Sequence, residues 1–175
     1  MKKKYKDFKA FIFAGGKSSR MGFDKALINH PHGGNWLNHK IKILNNLKLD
    51  TYLLTNHHNH FEEVDSDSHV EVIFDTNPFE GPLHCMEQIF ATYNLNTKNV
   101  LIIPVDMPNL NTKLIHSLFK SWEENHFKLK KKLSSRKKNF LGWVDQIPHK
   151  YFYANNGDLI NINSKRELLN MNNGI

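Results

Sequence analysis

Cysteine and long apolar runs are scarce in this chain, and their scarcity excludes several classes of protein. One cysteine, Cys85, stands in 175 residues, which rules out an internal disulfide framework and a cysteine-based zinc site. We expect it to be a small buried or half-buried side chain rather than a catalytic thiol. No apolar run approaches the roughly 20 residues of a transmembrane helix, and no signal-peptide core is present. We therefore expect a cytoplasmic protein that does not bind a membrane.

Two common phosphate-binding motifs are also missing. Neither G-x-x-x-x-G-K-[ST] nor G-x-G-x-x-G occurs in the sequence, so the chain carries neither a P-loop nor the dinucleotide fingerprint. Any nucleotide site must therefore use another arrangement of glycine and basic residues.

Acidic residues are outnumbered by basic ones. The chain has 24 lysines and arginines against 17 aspartates and glutamates, for a formal net charge of +7. The excess lies mostly in residues 2–9 and 128–138. Such runs are usually solvated surface, so we expect no nucleic-acid partner. Whether the second run helps to hold an anionic cofactor stays open.

The remaining composition, 39% apolar and 23% charged, is ordinary for one globular domain. We place that domain over residues 1–175, with a basic extension at 1–9. The predicted strands are 10–13, 51–55, 70–74, 100–105 and 159–162. The predicted helices are 36–47, 83–93, 112–127 and a short one from Ser164. This alternation predicts an α/β fold with a single Rossmann-like, doubly wound, mostly parallel sheet.

The segment 11–25, FIFAGGKSSRMGFDK, carries the clearest chemical signal. An apolar strand runs into Gly15 and Gly16, where the backbone can come close to a ligand and consecutive N–H groups can bind an anion. Arg20 and Lys25 add fixed positive charge. The glycine pair alone could be a plain tight turn, but the whole segment predicts a site for a triphosphate.

Two aspartates follow predicted strands in the same way. Ligands of open α/β sheets bind outside the carboxyl ends of the strands, so we expect Gly15, Asp75 and Asp106 to converge on one edge. Asp106 could instead begin a turn before Pro108, although we favour a metal role. Asp75 stands in Asp-Thr-Asn-Pro, which is itself a good turn sequence.

Four segments together resemble one known family. Segment 11–25 resembles the signature loop of the small nucleotidyltransferases, L-A-G-G-x-S-x-R-M-G-x-D-K, most closely that of the MobA-type molybdenum cofactor guanylyltransferases. Three further stretches match that family in the same order: 72–82 (VIFDTNPFEGP), 100–108 (VLIIPVDMP) and 158–168 (DLININSKREL). The resemblance implies a nucleotidyltransferase sheet of the glycosyltransferase-A-like type.

The resemblance also implies a reaction. GMP passes from GTP to molybdenum-bound molybdopterin with Mg²⁺ as cofactor, pyrophosphate leaves, and the guanine dinucleotide form of the cofactor results. The implied partners are GTP, molybdenum-molybdopterin, and molybdoenzymes or cofactor-delivery proteins. The reading from residues alone leaves open whether the nucleotide is GTP or CTP, whether a sugar phosphate is the acceptor, and which oligomer forms.

Site residues carry over by motif. Arg20, Lys25 and Asp106 are the implied catalytic residues, with Asp106 as the Mg²⁺ ligand. The implied nucleotide-binding residues are Phe13, Ala14, Gly15, Gly16, Lys25, Asp75 and Asp106, and Asn56 is a further candidate by its place after the second predicted strand. Asn161 and Asn163 are expected on the pterin or metal side, although their alternation with isoleucine also fits the polar face of an edge strand.

The chain departs from the family in two places. Family members usually carry a hairpin with His-Pro or Gln-Pro-Leu before the segment 140–148, and here only a basic run precedes it. The loop 29–35 lacks the usual lysine or arginine. A non-catalytic nucleotide-binding homologue therefore stays open. Finally, His57, His58 and His60 lack zinc-ligand spacing and a nearby cysteine, so we expect a solvated loop there.

Overall fold

The computed structural model describes residues 5–66, 68–93, 95, 98–125, 152–154, 157 and 159–173. Its strands are β1 (Phe8–Phe13), β2 (Asp50–Thr55), β3 (Val70–Phe74) and β4 (Asn99–Pro104). Its α-helices are α1 (Trp36–Asn46), α2 (Pro82–Thr92), α3 (Thr112–Asn125) and α4 (Lys165–Asn173). Two short 3₁₀ helices span Lys25–Leu27 and His58–Phe61.

The four strands form one parallel sheet in the order β3-β2-β1-β4. The central strand β1 pairs in parallel with β2 on one side and β4 on the other. A strand in this position is covered on both faces, which explains why β1 reads as a nearly continuous apolar run. All four carboxyl ends consequently lie along the same edge of the sheet.

Helices cover both faces of the sheet, as the doubly wound prediction requires. Ala10 and Ile12 of β1 face a larger core with residues of α1 and α3, whereas Phe11 faces a smaller core with Ile89 of α2. This alternation is the two-residue period of a strand. Helix α1 begins at a capping box in which Asn35 and Asn38 bind each other's backbone N–H groups.

The structure confirms the predicted strands 10–13, 51–55, 70–74 and 100–105 and all the predicted helices, with small shifts at their ends. The capping box at the start of α4 is confirmed, since Ser164 Oγ accepts the Glu167 N–H while Glu167 Oε2 accepts the Ser164 N–H. The end of the helix predicted at 112–127, the basic run 128–138, the segment 140–148, the first part of the extension 1–9 and residue 158 fall outside the described residues. In the described residues, no helix combines the length and apolar character needed to cross a bilayer.

The strand predicted at 159–162 is wrong. The segment has no strand pairing among the described residues, and only Ile162 is buried. The Ile162 N–H donates to the Asp106 carbonyl oxygen at 3.0 Å, and the Ile162 side chain belongs to the larger core. The alternation of isoleucine and asparagine over residues 160–163 has the two-residue period of an edge strand. In the structure only one of the two isoleucines, Ile162, is buried.

Candidate functional site

The site lies where the backbone continues past the carboxyl ends of the parallel strands. The Ala14 N–H donates to Leu54 O at 2.9 Å, and the Asp75 N–H donates to Thr55 O at 2.9 Å. These bonds extend the sheet pairing by a residue beyond the strands, so the following loops leave the edge side by side. The predicted convergence of Gly15, Asp75 and Asp106 on this edge is confirmed.

Gly15 borders a cradle formed by Asn56 and Asp75. A Cβ atom built on Gly15 would lie 3.5 Å from Asp75 Oδ2 and 3.6 Å from both the backbone nitrogen and Oδ1 of Asn56. A Cβ built on Gly16 would meet nothing within 4 Å. The Asn56 Oδ1 atom is buried and lacks a hydrogen-bond partner in the described structure. A buried acceptor of this kind is costly unless a ligand satisfies it, so the cradle fits a ligand that donates hydrogen bonds.

Helix α2 is hydrogen-bonded to the backbone on both sides of Asp75. Gln88 of α2 accepts the Thr76 N–H at 3.2 Å and donates to Phe74 O at 2.6 Å. The half-buried Cys85 thiol donates to Asp75 Oδ2 at 3.8 Å, and burial together with the Asp75 charge raises the pKa of Cys85 to about 12. The thiol therefore stays protonated, which confirms the prediction of a half-buried side chain and argues against a thiolate nucleophile.

Lys25 and Asp106 meet at the centre of the edge. Lys25 Nζ donates to Asp106 Oδ2 at 2.9 Å and to Asn163 Oδ1 at 2.7 Å. Both charged side chains are largely buried, with 13% of Lys25 and 18% of Asp106 exposed. Asp106 Oδ1 is buried and lacks a partner among the described residues. One carboxylate oxygen thus holds the lysine while the other is left for a cation or a donor.

The remaining predicted residues take different places. Phe13 is half-buried and Ala14 is buried, while Arg20 is exposed at the rim. The pKa of Glu167 lies below its ordinary value, chiefly because its carboxylate accepts the Asn163 N–H, and the nearby charge of Arg20 adds to the effect. Asn163 reaches Lys25, whereas Asn161 is exposed. The structure therefore brings Asn163 to the centre of the site, but not Asn161.

The loop of the signature segment turns through two residues with positive φ. Ser18 has φ of 47° and Gly22 has φ of 74°, and Ser18 O accepts the backbone N–H groups of Met21 and Gly22 at 2.9 Å and 3.0 Å. Met21 is fully buried and anchors this turn in the larger core. The exposed residues Gly16 and Lys17 consequently belong to a loop that the buried Met21 side chain anchors.

The predicted solvated loop at the histidine cluster is wrong for His60, although His58 is exposed as expected. The His60 side chain is fully buried; its Nε2 lies 2.7 Å from Asp24 Oδ2 and its Nδ1 lies 2.7 Å from Thr55 Oγ1. Burial raises the pKa of Asp24, but the hydrogen bond from His60 and the electrostatic attraction of its ring outweigh this and lower the pKa overall. Among the described residues, no group of three or more His, Cys, Asp or Glu side chains is arranged to hold a metal ion.

Lys40 is a buried lysine close to Asp106 that the sequence does not single out. Lys40 of α1 is fully buried, and its Nζ donates to Met107 O at 2.5 Å. Burial lowers the pKa of Lys40 to about 8, against the opposing effect of the Asp106 charge. The usable signal was its place on the buried stripe of α1, between Leu37 and Ile41. The loop 29–35 lacks its expected basic residue, yet a lysine from the following helix reaches the loop after β4.

Two stacked histidines also contact the loop after β4. His30 and His39 stack with ring centroids 3.7 Å apart, and their Nε2 atoms lie 3.2 Å from Pro108 O and 3.1 Å from Leu110 O. Burial lowers the pKa of both rings, that of His39 to about 4. Neutral histidines thus help to fix the chain that follows Asp106.

Comparison with known proteins agrees with this geometry. Residues 10–130 match the family model of the MobA-like NTP transferase domain. A probable molybdenum cofactor guanylyltransferase from Rhodopirellula baltica is 32% identical over 118 residues, which cover 65% of this chain and 55% of that relative. The chain thus spans about half the length of this curated relative.

Two solved structures share the fold over most of the chain. The molybdopterin-guanine dinucleotide biosynthesis protein A from Archaeoglobus fulgidus has a TM-score of 0.65 at 13% identity, with 95% of this chain and 100% of that chain covered. The 4-diphosphocytidyl-2C-methyl-D-erythritol synthase from Anaerococcus prevotii has a TM-score of 0.58 at 11% identity, with 97% and 98% covered. At these identities the likeness shows a common α/β fold.

Proposed function

The chain belongs to the MobA-like NTP transferase domain family, and on this basis we propose that it transfers GMP from GTP to molybdenum-bound molybdopterin. A phosphate oxygen of the acceptor attacks the α-phosphorus of GTP, and the bond to the leaving pyrophosphate breaks. Such a transfer depends on positioning and charge neutralisation and needs no protein nucleophile. The observation that carries the proposal is the Lys25–Asp106 pair, with its partnerless Asp106 oxygen, beside the glycine loop.

The cradle supports a nucleotide with hydrogen-bond donors. The backbone of residues 13–16 holds the nucleotide, and Gly15 leaves space against Asn56 and Asp75. Asn56 Oδ1 and the Asp75 carboxylate are acceptors. Two neighbouring acceptors suit the N1–H and N2–H₂ donors of guanine or the hydroxyl groups of ribose. When the two acceptors contact the base rather than the ribose, which both nucleotides share, the match favours GTP over CTP, whose base presents one donor group on its pairing edge.

Lys25 and Arg20 supply the positive charge for the triphosphate. Lys25 changes partners in this scheme: it leaves Asp106 and contacts phosphate oxygens when the nucleotide binds. Arg20, exposed at the rim, neutralises the outer phosphates and the leaving pyrophosphate. Fixed donors of this kind stabilise the charge that develops as the leaving group departs.

The residues present fit Mg²⁺, and enzymes of this family generally depend on a divalent metal ion. Asp106 would hold the ion through Oδ1, the buried oxygen that lacks a partner in the described structure. One carboxylate suffices because Mg²⁺ commonly takes its other ligands from phosphate oxygens and water. The bound ion would supply charge neutralisation at the phosphates. Asn163, hydrogen-bonded to Lys25, would lie on the acceptor side.

Pyrophosphate release tests the proposal. Purified protein is incubated with MgGTP or MgCTP, with and without molybdenum-molybdopterin, beside Asp106→Asn and the exposed-site control Asp65→Asn. We expect release that needs the acceptor, prefers GTP, survives Asp65→Asn and is abolished by Asp106→Asn. We place this reaction in the cytoplasm, with molybdoenzymes or cofactor-delivery proteins as recipients.

Other outcomes identify the alternatives. Release with CTP but not GTP would point to a related cytidylyltransferase on the same scaffold. Tight MgGTP binding without release under any condition would contradict the enzyme assignment and support a non-catalytic nucleotide-binding homologue.

A further inference from the structure

His60 connects two parts of the site, although it lies too deep to touch a substrate. The residue follows β2 in a short 3₁₀ helix, and its side chain is fully buried. One ring nitrogen meets Thr55, the last residue of β2, and the other meets Asp24 of the signature segment, each at 2.7 Å. The ring therefore ties the end of β2 to the residue that precedes Lys25.

The surrounding hydrogen bonds indicate which atoms donate and which accept in the contacts of His60 with Thr55 and Asp24. The Asp24 carboxylate is an acceptor, so the His60 Nε2 atom must carry the proton between them. Thr55 Oγ1 accepts the His57 N–H at 3.0 Å and still has its hydroxyl proton to donate to His60 Nδ1. A donor chain thus runs from Thr55 through His60 to Asp24, and it satisfies the polar atoms of a buried ring.

Asp24 connects His60 to the 3₁₀ helix that begins at Lys25. Its Oδ1 accepts the Ala26 N–H at 2.9 Å and caps the 3₁₀ helix Lys25–Leu27, while its Oδ2 is held by His60. With both oxygens fixed, the first turn of that helix has a set orientation, and Lys25 begins it. Lys25 Nζ lies 2.9 Å from Asp106 at the opposite end of this chain of contacts.

We propose that His60 is a positioning residue that, through Asp24, sets the orientation of Lys25 towards Asp106 and the triphosphate. The inference deepens the proposed function and rests on it for the identity of the substrate. His57 cannot take the same role equally well, because its Nδ1 lies 3.9 Å from Asp24 Oδ2 and its side chain is 32% exposed. A lysine misplaced by about 1 Å costs up to about 100-fold in rate.

The test uses two substitutions of His60 and one matched control. His60→Leu removes both hydrogen bonds, and His60→Gln keeps an N–H donor for Asp24. His58→Leu is the control, since it makes the same change at an exposed position in the same 3₁₀ helix. We expect His60→Leu to lower kcat about 10- to 100-fold with a smaller change in KM. His60→Gln should restore most of kcat, and His58→Leu should leave it unchanged.

A double-mutant cycle separates positioning from packing. If His60 acts through Asp24, the further loss of kcat caused by His60→Leu largely disappears when Asp24 is already alanine. Additive losses in the cycle, or wild-type kcat in His60→Leu, would overturn the proposal. Should His60→Leu fail to fold, Thr55→Val removes the hydroxyl that contacts the His60 ring and that also accepts the His57 N–H; a lower kcat is then expected, and an unchanged one overturns the proposal.

A crystal structure of the His60 variant without substrate gives a readout independent of activity. We expect Lys25 Nζ to move out of hydrogen-bond distance of Asp106 in His60→Leu and to keep that distance in His60→Gln. An unmoved Lys25 in His60→Leu would overturn the positioning role even if activity fell. Conversely, a wild-type protein without GTP turnover contradicts the proposed function, while the lysine position still decides the role of His60.

Discussion

Lys25 Nζ lies 2.9 Å from Asp106 Oδ2, across 81 positions of the sequence. The contact joins the glycine-rich segment after β1 to the aspartate after β4, and both side chains are mostly shielded from water. Each neutralises the other while no phosphate or cation is present. Under the proposed function a magnesium nucleotide would be a better partner for both groups at once, so we expect the pair to separate when the substrate binds.

Replacing Lys25 by methionine should lower kcat/KM for the nucleotide by about 100-fold or more, because a fixed cation at the leaving group is lost. The melting temperature should also fall, since Lys25→Met leaves the largely buried Asp106 carboxylate without its charged partner. Steady-state pyrophosphate release and a thermal melt check both parts. Lys42→Met, at an exposed position of α1, is the control; equal losses in the two variants would contradict the prediction.

Alanine at Gly15 should weaken nucleotide binding more than alanine at Gly16. The new methyl group at position 15 would lie in ordinary contact with Asp75 and Asn56, so the fold tolerates it while the cradle is filled. At position 16 the methyl group meets nothing within 4 Å. Titration calorimetry with MgGTP should give a dissociation constant at least about tenfold higher for Gly15→Ala, equivalent to about 1.4 kcal/mol. Equal affinities in the two variants would argue against the cradle.

The stacked pair His30–His39 should make stability depend on pH in mild acid. Burial holds the pKa of folded His39 at about 4, below its ordinary 6.5, so between these values the unfolded chain binds more protons than the folded one. Stability is therefore complete above pH 6.5 and is lost as pH falls towards 4. Melting temperatures measured across this window should fall less steeply for His39→Gln, which cannot titrate. Parallel curves for the variant and the wild type would show that His39 does not contribute.

Replacing Lys40 by methionine should separate stability from activity. The folded pKa of about 8 lies below the ordinary 10.5, so the stability contributed by this group is complete above pH 10.5 and is lost as pH falls through 8. At pH 7 the charged lysine is therefore a cost, and a methionine of similar shape removes it. Urea unfolding at pH 7 should find Lys40→Met at least as stable as the wild type.

Activity should nevertheless fall in Lys40→Met, because the Met107 carbonyl beside Asp106 loses its hydrogen-bond donor. Full activity together with increased stability would show that Lys40 has no role at the site. Lys42→Met again serves as the control, from the exposed side of the same helix.

Much of the fold could be predicted because its causes are local. Strand β1 reads as an apolar run that ends at Gly15, and α1 shows a helical stripe beginning at Trp36. The segment 159–162 was misread for the same reason: the two-residue period of its side chains is local, whereas pairing with a neighbouring strand is not. Only Ile162 found a place in the core.

The candidate site divides in a similar way. Gly15, Lys25 and Asp106 could be singled out because glycine, lysine and aspartate after strands have recognisable chemistry. Lys40 was detectable in principle, as a charge on a buried helical stripe. His60 gave no signal, because a histidine in a polar stretch reads as solvated until Asp24 and Thr55 are known to flank it.

The amino-acid sequence by itself determined the order of strands and helices and the chemistry gathered at the strand ends, since these depend on periodicity and residue type over short stretches. The tertiary structure alone decided which of those groups meet. The parallel register brings Asp106 beside Lys25, and the turn after β2 places His60 against Asp24. Such pairs join distant parts of the chain, and their geometry depends on the packing of the whole sheet and its helices.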